Sequence, residues 1–261
     1  PTVRWTLELP RRLIQIDIDP AEIGRNYPVE IGVVGDAQFT LAMLLAEFDE
    51  IGLKDRPPRH RELEELRKWV MDRIGPHDEL DVLDQIRSAL PRNAILCNDP
   101  TTIVFWARFY WPAYEPRTWL LPAGFGTLGY ALPAAVGAKI ACPDRPVVAL
   151  IGDAGVMFSI QDLMTSIQEN VPITVVIFND EGYGVERRHQ DHLYGRRCGV
   201  DIRPPDFMKL AEAFGAVGLR VTNLREVGSA IRQAQNSNRP AIVEVPNRFS
   251  HPGYGSFGQW K

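Results

Sequence analysis

The chain has 261 residues, 29 Lys and Arg against 33 Asp and Glu, and a formal net charge of −4. Hydrophobic residues make up 45% and charged residues 24%, which excludes global disorder. The acidic balance argues against a nucleic-acid or membrane-surface partner. No apolar run approaches the roughly 18 residues that span a bilayer, and no basic-then-apolar start marks a signal peptide. Cys97, Cys142 and Cys198 are odd in number and far apart. They fit neither a disulfide framework nor a metal knuckle, and a reducing, cytoplasmic setting is expected.

In chain order, two strands are expected first, Leu13 to Ile18 and Glu30 to Val34, with a short helical turn at Pro20–Ile23 between them. Asp36 is placed to cap a helix from Ala37 to about Phe48. This piece, residues 1–52, is too small to bury both faces of its sheet and reads as the end of a larger α/β domain. It is expected to be poorly packed or to pair with a second copy. The start at Pro1 reads as a cut end.

Residues 53–61, with their Pro57-Pro58 break, read as a charged linker. Two amphipathic helices are expected next, one carrying Leu63, Leu66, Trp69 and Val70, the other running from Leu80 to Leu90. From Ala94 strands and helices alternate. Strands are expected at 94–97, 118–121, 147–151, 173–178, 217–221 and 241–245, and helices at 128–140, 160–170, 207–214 and 224–235. The central strands are continuously apolar, the mark of strands covered on both faces. Residues 62–247 are therefore expected to form a doubly wound α/β domain. Its parallel sheet would have helices on both faces and a ligand beyond the carboxyl ends of its strands. Residues 248–261 are a tail with the character of a floppy end or a lid.

The chemistry gathers at two strand ends. One apolar strand closes on Gly152-Asp153-Ala154-Gly155, and the next on Asn179-Asp180-Glu181-Gly182-Tyr183-Gly184. Small residues let a ligand approach the backbone, and N–H groups entering a helix can hold a phosphate. Two carboxylates at neighbouring parallel strand ends can converge on one hard cation such as Mg²⁺, whose shell is usually completed by phosphate and water. Gly-Asp-Ala-Gly alone is a weak signal, because an Asp beside Gly at a strand end is common.

With the second loop, 27 positions from Asp153 to Asp180, the sequence resembles the thiamin-diphosphate motif, Gly-Asp-Gly followed at about 25 to 30 residues by Asn-Asn. Ala154 departs from the third-position glycine, as in acetolactate-synthase-like members. Asp180 departs from the second asparagine, keeping an oxygen ligand and adding a negative charge. Gly124 to Ala135 is similar to the family segment that grips the aminopyrimidine ring, with Gly126 and Leu128 at the gripping and propping positions. Asn98-Asp99-Pro100-Thr101-Thr102 is similar to the loop whose hydroxyls meet the diphosphate, although an ordinary helix cap explains it as well. Ile16 to Gly24 and Val33 to Ala37 look like the end of the family's middle domain.

The resemblance implies a thiamin-diphosphate- and Mg²⁺-dependent enzyme of the acetolactate synthase, benzoylformate decarboxylase and pyruvate oxidase group. Such an enzyme is a lyase or transferase that decarboxylates or ligates a 2-oxo acid, with the cofactor as electron sink. It implies Asp153, Asp180 and the Gly182 carbonyl on the metal. It places Thr101, Thr102, Gly152, Ala154 and Gly155 on the diphosphate side, with Tyr183 either covering the diphosphate or packing under its loop. His189 stands where acetolactate synthases have a tryptophan. It is read either as a pocket wall or proton donor, or as part of a solvated helix face. The family's glutamate for the cofactor ring belongs to a pyrimidine-binding domain not recognised in these residues. The chain is therefore expected to be inactive alone and to need a partner: a homodimer or tetramer mate, or a separate chain carrying that domain. The alternative is a non-catalytic module that binds diphosphate and Mg²⁺ or only assembles. A dinucleotide binder is disfavoured, since no Gly-x-Gly-x-x-Gly opens a helix after a strand. Arg187, Arg188, Arg196 and Arg197 either steer an anion or pair with Asp191 and Asp201. His60 and His77 are expected at the surface, and Glu181 facing solvent. His251 is a weak candidate for substrate contact. The cysteines are bystanders, Cys198 having a basic setting that favours a thiolate.

Overall fold

The computed structural model describes residues 9, 12–52, 57–246 and 248–250. The stretch 53–56 and the tail from His251 onward, with the expectations placed on them, lie outside the described residues. The chain divides into two units, Pro1–Leu66 and Arg67–Lys261.

In the first unit β1 (Ile14–Asp17) and β2 (Ile31–Val34) pair in parallel, Ile14 opposite Ile31. Asp19 accepts from the Ala21 N–H and caps a 3₁₀ turn at Pro20–Glu22. Asp36 caps α1 (Ala37–Glu50) by accepting from the Phe39 N–H at 2.9 Å. Among the described residues of 12–52 none is buried, and α1 leaves Phe39, Leu41, Met43, Leu45 and Phe48 exposed. A helix, α2 (His60–Ile74), runs across the division between the units. This helix begins at His60, inside the stretch 53–61 expected as a linker.

The second unit holds α3 (Asp78–Ala89) and a six-stranded sheet. Its strands are β3 (Ile95–Asn98), β4 (Trp119–Leu120), β5 (Val147–Gly152), β6 (Thr174–Asn179), β7 (Val217–Arg220) and β8 (Ala241–Pro246). Every pairing is parallel, in the order β4-β3-β5-β6-β8-β7. Alternation along each strand feeds two cores. On one face Leu96, Leu150, Val176 and Val243 pack with α3, with α4 (Thr102–Tyr110) and with α10 (Val227–Asn236). On the other, Cys97, Ala149, Val175 and Ile242 pack with α5 (Ala131–Ala141), α7 (Asp162–Gln168) and α9 (Phe207–Phe214). The doubly wound α/β sheet is thus covered on both sides, which is why its central strands carry no polar alternation.

Two differences from the expected elements, and one helix that the solvated-face reading of His189 anticipated, bear on the site. Thr102–Tyr110 is a helix although its run of β-branched and aromatic residues carries no helical signal. Burial of Ile103, Val104, Trp106 and Ala107 overrides that composition. The helix expected from Leu128 starts only at Ala131, because Gly129 takes φ +81°. A Cβ there would stand 2.8 Å from the Cβ of Phe158, so only glycine fits that close approach. A helix, α8 (Gly184–Tyr194), follows the second motif loop directly.

Candidate functional site

After β3 the chain first crosses to β4 on one side, then returns to place β5 on the other side of β3. The carboxyl ends of β3 and β5 are therefore the place where a crevice opens in such a sheet. A cavity of about 350 Å³ lies there, within the ordinary range for a small-molecule site.

The cavity collects residues from four segments far apart in sequence. The β3–α4 turn supplies Thr101 and Thr102, and the loop before α5 supplies Gly126 and Leu128. The end of β5 and the one-turn helix α6 (Asp153–Val156) supply Gly152, Asp153, Ala154 and Gly155. The loop between β6 and α8 supplies Asp180, Gly182 and Tyr183. All the residues that the sequence nominated for cofactor and metal thus line one cavity. Phe105, Arg108, Val185 and Glu186 line it too and were not anticipated. His189 is not among the lining residues. Its ring is half exposed and lies 3.7 Å from Glu186 Oε2.

Asp153 is buried, and its carboxyl group shares the cavity with that of Asp180 closely enough for each to act on the other's charge. Burial first, and then the neighbouring Asp180, push the Asp153 carboxyl well above the usual carboxylate range. Asp180 is also raised by burial, against the opposing charge of Arg187. Two carboxylates this close cannot both ionise without a proton or a cation between them. Asp153 Oδ2 further accepts the Gly182 N–H at 3.0 Å, tying the two motif loops together. A Cβ at Gly184 would overlap Asp180 Oδ2, so glycine there leaves the carboxylate its place.

Thr101 sits at the N-cap of α4 in extended geometry, yet its side chain makes no capping hydrogen bond. The helix-cap explanation of that hydroxyl is corrected accordingly. A Cβ at Gly152 would come within 3.2 Å of Thr101 Oγ1, so the β5 end leaves the threonine little room to spare.

Three supporting residues escaped the sequence reading. Asp99, fully buried, accepts the Gly129 N–H and the Ala131 N–H, each at 2.7 Å. It fixes the entry to α5 and with it the 126–128 loop. Burial raises its carboxyl group while the backbone hydrogen bonds act the other way. Glu244 on β8 accepts from Asn179 Nδ2 at 2.8 Å and pairs with Arg220 Nε at 2.7 Å. Asn179 Oδ1 in turn accepts the Glu181 N–H at 3.2 Å. Arg187, read only as one of a basic cluster, is buried beneath the Asp180–Gly182 loop. An acid two residues ahead of Thr101 was the available signal for Asp99; the other two had none.

Elsewhere Arg197 pairs with Asp191 at 2.6 Å and Arg187 with Asp201 at 2.7 Å, so for these two the pairing alternative holds. Glu181 is exposed and pairs with Arg248 at 2.8 Å. His77 is only partly at the surface, its ring tilted against Trp106 at 4.5 Å. Cys97 is buried, Cys142 half-buried and Cys198 exposed, and none forms a disulfide. Among the described residues no helix is long and apolar enough to cross a membrane.

Residues 99–245 match the family model of the thiamine pyrophosphate enzyme C-terminal TPP binding domain, and residues 2–44 that of the central domain. The chain is 36% identical over 255 residues to an acetolactate synthase large subunit of Corynebacterium glutamicum, covering 89% of this chain and 40% of that protein. It is 33% identical over 245 residues to a probable 2-ketoarginine decarboxylase of Pseudomonas aeruginosa, covering 93% and 44%. The structure resembles a thiamine diphosphate-dependent 4-hydroxybenzoylformate decarboxylase of Rhodococcus jostii RHA1 with a TM-score of 0.72 at 28% identity, over 92% of this chain and 44% of that one. The chain thus spans about two fifths of the length of the relatives it matches. With its sheet, its switch-point cavity and both motif loops accounted for, the chain belongs to the thiamine pyrophosphate enzymes.

Proposed function

We propose that this chain is the diphosphate- and Mg²⁺-binding half of a thiamin-diphosphate-dependent enzyme that decarboxylates or ligates a 2-oxo acid. One observation carries the reading: Asp153 and Asp180 line one cavity with Thr101, Thr102, Gly152 and Gly155, and Asp153 accepts the N–H of Gly182 from the Asp180 loop at 3.0 Å. Among the described residues no three His, Cys, Asp or Glu side chains cluster as a metal site. The donor set of the reading is therefore two carboxylates and the Gly182 carbonyl, with phosphate oxygens and water completing an octahedral shell.

In this reading Thr101 and Thr102 donate their hydroxyls, and Ala154 and Gly155 their backbone N–H groups, to the diphosphate. Tyr183 covers it, Leu128 props the cofactor rings, and the Gly126 carbonyl holds the aminopyrimidine. When bound, the cofactor supplies an electron sink for cleavage beside the carbonyl of the 2-oxo acid. The glutamate for the cofactor ring would come from a pyrimidine-binding domain outside these residues. The chain alone then binds without turnover.

Titration calorimetry of thiamin diphosphate into the chain, with and without Mg²⁺, tests this, alongside depletion of pyruvate or benzoylformate. Binding that requires Mg²⁺ and is abolished by Asp153→Asn is expected. Binding indifferent to both would overturn the reading, and turnover by the isolated chain would overturn the claim of a missing glutamate.

A further inference from the structure

Arg187 is the one buried residue of α8, whose other residues are exposed or partly exposed. Only 9% of its side chain is exposed, and a buried guanidinium is retained only where it is paired. Its Nη1 donates to the Asp180 carbonyl at 3.1 Å and its Nη2 to the Glu181 carbonyl at 2.7 Å. Its Nε lies 2.7 Å from Asp201 Oδ1, close but not aligned as a hydrogen bond, and Nη1 lies 3.7 Å from Asp180 Oδ2. One planar fork therefore engages two successive backbone carbonyls and two carboxylates.

The loop it grips is unusual. Glu181 takes φ +60°, a left-handed conformation that non-glycine residues seldom adopt. Gly182 follows, and a Cβ on it would overlap Arg187 Nη2 and the Val200 carbonyl. From the far side residues 200–202 clasp the same loop. The Tyr183 N–H donates to the Val200 carbonyl at 2.9 Å and the Ile202 N–H to the Glu181 carbonyl at 3.1 Å. The loop has thus been closed over a cation that belongs to the protein.

Given the cation and diphosphate reading of this cavity, we propose that Arg187 is a positioning residue that locks the Asp180–Gly182 loop in its ligand-presenting shape and offsets the charge of Asp180. Asp180 stands where the motif the chain resembles has an uncharged amide. A diphosphate arriving at a site with two carboxylates meets one more negative charge than an Asp-Asn pair would present. Arg187 returns a positive charge on the protein side of the loop without occupying the cavity as a ligand.

The test combines Arg187→Gln, which removes fork and charge, with Arg187→Lys, which keeps the charge and cannot span both carbonyls. Each is made in the unaltered chain and in the Asp180→Asn background. Amide hydrogen exchange reads the loop without any cofactor. Both Arg187 variants should speed exchange at Tyr183 and Ile202 while strand β5 keeps its protection. Thiamin diphosphate titrated at saturating Mn²⁺ reads the charge. Arg187→Gln should weaken binding at least about tenfold where Asp180 is kept and clearly less in the Asp180→Asn background, with Arg187→Lys between. Unchanged exchange, or equal losses in both backgrounds, would overturn the proposal. Should the unaltered chain not bind thiamin diphosphate, the reading of the cavity fails on its own, and the exchange data decide the role of Arg187. If Arg187→Gln does not fold, the lysine variant carries the exchange measurement, and unchanged exchange at Tyr183 and Ile202 there overturns the positioning role.

Discussion

Oδ1 of Asp99 accepts the backbone N–H of Ala131 at 2.7 Å, 32 positions along the chain. The same carboxylate holds the Gly129 N–H through Oδ2. A buried acid at the end of β3 thereby sets where α5 begins and where the 126–128 loop stands against the cavity. Asp99→Asn keeps one acceptor oxygen and sets an amide against an N–H donor. A loss of about 1–3 kcal/mol is expected, read as a lower melting temperature. The pH dependence has a definite sign. Folding raises the Asp99 carboxyl group, chiefly through burial. Its stabilising contribution is therefore complete below the unfolded carboxylate value, roughly 3.9, and is lost as pH rises through the folded one. The advantage of the unaltered chain over Asp99→Asn should shrink as pH rises above the unfolded carboxylate value.

Gly184→Ala tests the close approach beside Asp180. The added methyl group overlaps Asp180 Oδ2 and comes within 3.6 Å of Thr102 Oγ1. The carboxylate has to turn aside while the cores of the sheet are untouched. Mn²⁺ affinity, followed by paramagnetic relaxation of water, should fall about 10- to 100-fold with little change in melting temperature.

Glu244 carries Asn179 on one oxygen and Arg220 on the other, with only 4% of its side chain exposed. Glu244→Ala leaves Asn179 Nδ2 without this acceptor and Arg220 without this partner, and a loss of about 3 kcal/mol is expected by denaturant titration. Glu244→Gln keeps an acceptor for Asn179 and should lose about half as much.

The three thiols should separate by reactivity. Burial pushes Cys97 up to about 12, so at pH 8 only about one molecule in ten thousand carries its thiolate. Cys198 is exposed. Iodoacetamide at pH 8, followed by peptide mass spectrometry, should label Cys198 in the native chain, and Cys97 only after unfolding.

Much of this arrangement was legible in the residues. The apolar runs at Val147–Ile151 and Ile173–Phe178 announce strands buried on both faces. Their ends, Gly152-Asp153 and Asn179-Asp180, lie side by side because β5 and β6 are paired in register, Gly152 opposite Phe178. Asp36 caps its helix as short polar side chains do. What was not legible depends on partners without a sequence signature. Asp99 and Arg187 act on backbone N–H and carbonyl groups, which every residue possesses. α4 was hidden because its helix rests on tertiary burial rather than on propensity. The Gly129 bend, which shortens α5, is set by contact with Phe158, about thirty positions away.

The central claim is that Asp153 and Asp180 hold one divalent ion that also grips a diphosphate. Electron–nuclear double resonance of the chain with Mn²⁺ in place of Mg²⁺, in the presence of thiamin diphosphate, tests it most directly. The account predicts a phosphorus coupling of the size of a directly bound phosphate oxygen, present in the unaltered chain and absent in Asp153→Asn. A bound Mn²⁺ without phosphorus coupling, or a coupling that survives Asp153→Asn, would contradict it.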